Sequence, residues 1–262
     1  MHVPVHAPGS RLAVGVTLLV LLSPFRLAAV QVAPGAGAYE VIAVPDGATL
    51  NGRVTFDGPK PEPAELLITR DFEICGLGFR ERQEVDVSET GGLRTVVIFI
   101  VGIESGKPWP EAPDGYVLDQ QDCYFEPYIQ VVPRGTELRI INSDPILHNI
   151  HGYELSDDRR RRTLFNLAQP ETGVITHPLR TRRSRRVGIE CDAHDFMLSW
   201  IFAAENPYTA VVDAEGKFSI PDVPPGTYTV GAWHPFLGIL EQETTVTAGG
   251  AIEIGFEFTA GS

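Results

Sequence analysis

From Ala48 onward the chain is a succession of short apolar runs punctuated by Gly, Pro, Asn and Asp, and almost nowhere does it carry the 3.6-residue period of an amphipathic helix. Leu50-Asn-Gly-Arg-Val-Thr-Phe56 alternates. Thr95-Val-Val-Ile-Phe-Ile-Val101 is a continuous apolar run of the length expected for a strand buried on both faces. Tyr128–Val132 and Glu137–Ile141 also read as strands, joined through the turn residues Pro133-Arg134-Gly135. With 26 glycines and 21 prolines feeding such turns, the fold class is all-β.

The most specific chemistry lies in the run Cys191-Asp-Ala-His194-Asp-Phe-Met197, which sets a thiol, an imidazole and a thioether three positions apart on one loop. Val187, Ile189 and Cys191 fall at period two, so they share one strand face, and if the first two face the core then the sulfur is shielded as well. A new strand starts at Met197, with Leu198, Trp200 and Phe202 on one face and Ser199 and Ile201 on the other. Far upstream, Asn142-Ser-Asp-Pro-Ile-Leu-His148-Asn149 supplies a second imidazole at the edge of a strand-like segment. Two imidazoles, one thiolate and a weak axial sulfur select copper, because soft ligands tolerate both Cu(I) and Cu(II) in one nearly fixed geometry.

These residues resemble the cupredoxins, the blue copper proteins, and the Cys-x-x-His-x-x-Met spacing is similar to the short loop of the amicyanin type. The resemblance implies a Greek-key β-sandwich holding one mononuclear type 1 copper. His148, Cys191 and His194 would be the strong ligands, Met197 the axial one, and Asn149 a hydrogen-bonding brace between the two stretches. It also implies that the loop histidine, here His194, reaches the surface as the port for electrons. One departure is Asp195, where amicyanin-type loops carry Pro; Asp192 and Asp195 beside His194 would favour Cu(II) and lower the potential. Phe196, Leu198 and Trp200 would limit water access.

Three cysteines in an exported chain leave one over after pairing. Cys75 and Cys123 stand in loop-like surroundings without ligand neighbours and are expected to pair, leaving Cys191 for the metal. The competing pairing, Cys123 with Cys191, would abolish the site. His151, three residues beyond His148, points to the opposite face of a regular strand and suits a surface or supporting role. His177, between Thr176 and Pro178, reads as solvated, and His234 has no evident partner.

Residues 1–29 read as an export signal, with Arg11, an apolar stretch Leu12–Leu22 and small residues at Ala28-Ala29. The apolar stretch is too short to span a bilayer, which takes about 20 residues. No membrane span is expected after signal removal, and a periplasmic or extracellular location follows. Loss of Arg11 and Arg26 leaves 19 basic residues against 34 acidic ones, a net charge of about −15, which suits no general nucleic-acid binder. Against that background Arg159–Arg162, Arg180, Arg182, Arg183, Arg185 and Arg186 form a local reversal of charge. It reads either as solvated loops or as a docking patch for an acidic redox protein.

After Pro207 the texture changes. Tyr208–Val230, with turns at Gly216 and Pro224-Pro225-Gly226, resembles the carboxypeptidase regulatory-like, transthyretin-type (Ig-like) β-sandwich, whose Gly-x-Val-x-Phe opening strand matches Gly52–Phe56. Residues 206–260 are short for a whole sandwich of about 100 residues. The expectation is therefore one sandwich made of 40–115 and 206–260, with a cupredoxin inserted at 116–205; two consecutive domains are the alternative. The combination is similar to exported methylamine-utilisation or plastocyanin-like proteins along nearly the whole mature chain. Haem attachment, phosphate-loop and nucleophile-elbow motifs are missing from the sequence, so the reading is an electron carrier and not an enzyme. A periplasmic copper carrier or sensor using the same four residues, and a metal-free scaffold or adhesion protein, are the alternatives.

Overall fold

The structure is a computed structural model that describes Met1, His2, Pro4, residues 39–157 and residues 160–260. The signal expected at 1–29 lies almost wholly outside the described residues, as does Arg159. Among the described residues the chain from residue 39 is all-β apart from one helical turn, Phe72–Cys75.

Ala48–Asp57 pairs in parallel with Ala251–Thr259 over nine registered residues and antiparallel with Lys217–Val223. Facing this three-stranded sheet is a four-stranded one in the order Thr209–Val211, Val97–Ile100, Gly226–His234, Gly238–Val246. Leu50, Val54, Phe218, Ile220, Phe256 and Phe258 from the first sheet pack on Ile98, Ile100, Val230 and Ala232 from the second. A second sandwich opposes a four-stranded sheet (Gly173–Pro178, Glu137–Asn142, Tyr116–Gln121, Tyr124–Glu126) to a five-stranded one. The latter runs Arg161–Gln169, His148–Leu155, Arg186–Glu190, Leu198–Ala204, Ile129–Pro133.

Val97–Ile100 and Leu198–Ala204 are buried on both faces along their whole length, and their alternation shows why. In Val97–Ile100, Ile98 and Ile100 enter the first core, while Val97 and Phe99 enter a third apolar layer between the sandwiches. In Leu198–Ala204, Ile201 and Ala203 enter the second core, while Trp200 and Phe202 enter that same third layer. There Phe99 stacks on Phe202 at 4.9 Å and Trp200 meets Trp233 edge to face at 6.3 Å. Aromatic pairs of this kind add about 1 kcal/mol each beyond the area they bury. Phe99 also lies flat over Gly231, where a Cβ would stand 2.1 Å from its Cζ, so only glycine fits.

Residues 64–82 form an excursion: a hairpin of Ala64–Leu67 and Phe79–Arg82 around the Phe72–Cys75 turn. Its buried side chains, Ile68 and Cys75, pack in the second core with Leu118, Phe196 and Met197. Cys75 is joined to Cys123 by a disulfide with a Cα–Cα separation of 5.2 Å, bridging 48 positions. In the chain-entropy account such a closure stabilises by about 4 kcal/mol. Cys191 is left as the free cysteine, and it is buried.

His234, fully buried against Phe258 and Phe236, accepts the N–H groups of Phe236 and Leu237 at its Nδ1, both at 3.2 Å. Burial holds its pKa down at about 4. Between pH 6.5 and 4 the unfolded chain takes up a proton that the folded chain refuses, so stability falls as pH falls through that window. At pH 5 the loss is about 2 kcal/mol relative to pH 7. Urea midpoints at the two pH values, compared with His234→Asn, check this: the variant, which keeps an acceptor near Nδ1, loses that increment of pH sensitivity. An equal pH response in both proteins contradicts it.

Candidate metal centre

The centre is assembled from the start of one strand and the end of the antiparallel strand paired with it. His148 opens His148–Leu155, and Cys191 directly follows Arg186–Glu190, with Val187, Ile189 and Cys191 all in the second core. Two consecutive backbone turns, His194 N–H to Cys191 O at 3.2 Å and Met197 N–H to His194 O at 3.0 Å, coil the loop. That coiling turns the three-residue spacing in sequence into proximity.

Asn142 builds the turn before His148. Its Nδ2 donates to the carbonyls of Ile146, Gln169 and Glu171, and its Oδ1 accepts the Asp144 N–H. Asn149 ties the two stretches together: its Oδ1 accepts the N–H of Asp192 at 2.7 Å and of Ala193 at 3.3 Å, and its own N–H points at Cys191 Sγ at 3.5 Å.

His148 Nδ1 and His194 Nδ1 lie 3.0 Å apart, and Cys191 Sγ stands 3.9 and 3.6 Å from them. All three residues are at most 2% exposed. Each imidazole is held from behind by a carboxylate: His148 Nε2 is 2.8 Å from Asp144 Oδ2, and His194 Nε2 is 2.8 Å from Asp71 Oδ2. Asp144 is itself pinned by the N–H groups of Asp122 and Cys123 at 2.8 and 2.9 Å. With the Nε2 protons given to these carboxylates, both Nδ1 lone pairs and the sulfur converge on one buried point, an arrangement that is repulsive without a cation or proton between them.

Burial lowers the His148 pKa despite Asp144, keeping the ring neutral and its lone pair available. It raises that of the Cys191 thiol, a shift opposed by the N–H groups of Asn149, Ala193 and His194. A metal must therefore displace a thiol proton on binding. Met197 is 1% exposed and packed in the same apolar cluster as Cys191 and Phe196. Cys123, Asp144 and His148 also lie together, but the Cys123 sulfur is committed to its disulfide.

Two expectations need correction, and one gains detail. His194 does not reach the surface; it is 1% exposed, because Asp71 and its excursion cover the ring. Asp195 is exposed and Asp192 bonds His151 and Asn166, while the carboxylates in hydrogen-bond contact with the imidazoles are Asp71 and Asp144. His177 is half-buried against Phe165 at 4.7 Å, not solvated. His151 stacks on Tyr153 at 3.9 Å and contacts Asp192 and Thr163.

Four residues of the arginine-rich stretches are tied to acids. Arg161 pairs with Glu190, Arg162 with Glu154, Arg185 with Glu205 and Arg186 with Asp157. Glu154 is the organiser of the second stretch: its Oε1 accepts the backbone N–H groups of Arg182, Arg183 and Ser184.

An all-β chain with two sandwiches and a buried His-Cys-His cluster at the end of one of them is the class of protein that fold and site define. Residues 192–254 match the family model described as polysaccharide lyase family 4, domain II. That stretch begins in the Cys-to-Met loop and runs through Leu198–Ala204 into the first sandwich. No curated protein sequence matches the chain. Among solved structures, a purple cupredoxin from Nitrosopumilus maritimus is similar at 15% identity over 34% of this chain and 99% of that one, with a TM-score of 0.29. Amicyanin from Paracoccus versutus is similar at 12% identity over 41% and 97%, TM-score 0.29. Auracyanin from Roseiflexus castenholzii is similar at 13% over 36% and 99%, TM-score 0.29.

Proposed function

We infer that this is an exported copper protein with a single type 1 centre that carries single electrons between redox partners and catalyses no reaction of its own. The observation that carries the reading is the convergence of His148 Nδ1, His194 Nδ1 and Cys191 Sγ on one buried point, with both Nε2 atoms locked on carboxylates. The residues fit the ion: two imidazoles and a thiolate would offer the soft donor set that suits copper, and Met197 on the same loop would add a thioether. Copper held there would supply one-electron Cu(I)/Cu(II) exchange. The chain contributes rigidity, since Asn149, Asp144 and Asp71 fix the ligands from outside, and dryness, since Phe196 and Met197 wall the sulfur in the second core. The arrangement of strands supports reading 40–115 and 206–260 as one sandwich interrupted by the metal-binding one, with residues 64–82 lent to the latter.

Among the described residues no helix is long and apolar enough to cross a membrane. The arginine stretches near 160–162 and 180–186 would present an acidic redox protein with a positive face, one weakened by their pairing with Glu154, Asp157, Glu190 and Glu205.

Copper-loaded protein is expected to give one reversible one-electron voltammetric wave and to keep its metal in the presence of a Cu(I) chelator. Its reaction with an acidic partner should slow as ionic strength rises. Rapid surrender of copper to the chelator, without a reversible wave, would move the reading to a copper carrier.

A further inference from the structure

We propose that Asp71 is a positioning residue for the metal site: it holds the His194 ring in place and, with the excursion around it, closes that ring and Cys191 from solvent. The inference rests on the metal-site reading for its purpose, but its geometry stands independently.

Asp71 lies 123 positions from His194 in sequence and meets it at 2.8 Å, Oδ2 to Nε2. Its side chain serves nothing in its own turn. The Phe72–Cys75 turn is closed by the Asp71 backbone carbonyl, which accepts the N–H groups of Ile74 and Cys75, and the carboxylate makes no capping bond there. Asp71 also adopts a left-handed conformation, φ 53 and ψ 41, which is uncommon for a residue with a side chain and best tolerated by Asn and Asp. That conformation is the backbone arrangement from which the carboxylate reaches His194.

The excursion carrying Asp71 is fastened at several points beside the site. Cys75 is bonded to Cys123, whose N–H donates to the same Asp144 that holds His148. Arg80 donates to the carbonyls of Cys75 and Cys123, and its guanidinium lies over the rings of Tyr124 at 3.7 Å and Phe196 at 4.8 Å. Phe196 in turn contacts the His194 ring at 5.6 Å. The wall is thus continuous from the disulfide to the imidazole, with Ile68 and Cys75 as its inner face. Asp71 itself stays 37% exposed on its side chain, at the outer edge.

The test uses metal-free, disulfide-intact protein and an aromatic disulfide reagent. Because Cys75 and Cys123 are paired, the reagent reports Cys191 alone. Asp71→Ala is expected to speed modification at least about tenfold over wild type. Asp71→Asn, which keeps an acceptor and suits the left-handed backbone, is expected to react near the wild-type rate, with both thermal midpoints close to that of wild type. An unchanged rate in Asp71→Ala, or equal acceleration in both variants with lowered midpoints, overturns the proposal; the second result would make Asp71 a fold residue only.

Should Asp71→Ala not fold, copper-loaded Asp71→Asn decides. Loss of the carboxylate charge beside His194 shifts the preference toward Cu(I) by about tenfold, about 59 mV upward for one electron. An unchanged potential overturns the proposal. The thiol measurement needs no copper, so its outcome is separate from failure of the metal-site reading.

Discussion

Cys191→Ser is expected to abolish the intense visible band predicted for the wild-type protein with Cu(II), and to leave the protein folded. The sulfur is 2% exposed and is the single free thiol among the described residues, so nothing else can supply a thiolate to a metal at His148 and His194. A serine oxygen there is smaller and harder, stays protonated at neutral pH, and shifts the donor set away from Cu(I). The N–H groups of Asn149, Ala193 and His194 that face the sulfur would face the hydroxyl, which accepts from them, so the loop keeps its partners. Absorption spectra after one equivalent of Cu(II), together with circular dichroism of both proteins, check the prediction. A variant that retains the band would remove Cys191 from the site.

Glu154→Ala is expected to cost about 3 kcal/mol. Glu154 is 3% exposed and sits under the arginine-rich stretch 182–186. Burial alone would raise its pKa. The Arg183 N–H, the Arg162 guanidinium and the Ser184 and Arg182 N–H groups outweigh burial and hold it at about 2. A depressed carboxylate contributes stability that is present above its unfolded pKa, about 4.5, and is lost as pH falls toward 2. Truncation leaves three backbone donors and one guanidinium facing a void. For a domain of this size a loss of about 3 kcal/mol lowers the thermal midpoint by about 6–12 °C. Glu154→Gln, which keeps the shape and one carbonyl acceptor, should fall between. A midpoint within a degree of wild type for Glu154→Ala would show that water replaces the carboxylate at little cost.

The legible part of the sequence was whatever depends on neighbours. Period two put Val187, Ile189 and Cys191 on one face, and they share one core. The unbroken apolar run around Val97–Ile100 announced burial on both sides, which the two apolar layers explain. The His-Asn dipeptide and the three-residue steps of the loop put His148, Cys191 and His194 within one cluster.

What escaped depends on chain segments meeting from afar. Asp144 stands inside the Asn142-Ser-Asp-Pro145 run, and its place four residues before His148 was the available signal. Asp71 offered none, since its turn has no periodicity and its partner is 123 positions away. The expectation of an exposed loop histidine failed for that reason: the covering excursion belongs to a part of the chain that the cupredoxin resemblance does not reach. The acid partners of the arginine stretches were not legible, because Glu154, Glu190 and Glu205 reach them only after strands pair.

The claim beneath all of this is that two imidazoles and one sulfur exist at a single buried point to hold one redox ion. Titrating metal-free protein with Cu(II) while recording the visible spectrum and counting free thiols tests it most directly. The account predicts an intense sulfur-to-copper band that saturates at one copper per chain and bleaches on reduction, with one thiol per chain beforehand. A colourless titration of protein whose Cys191 is a free thiol would contradict it.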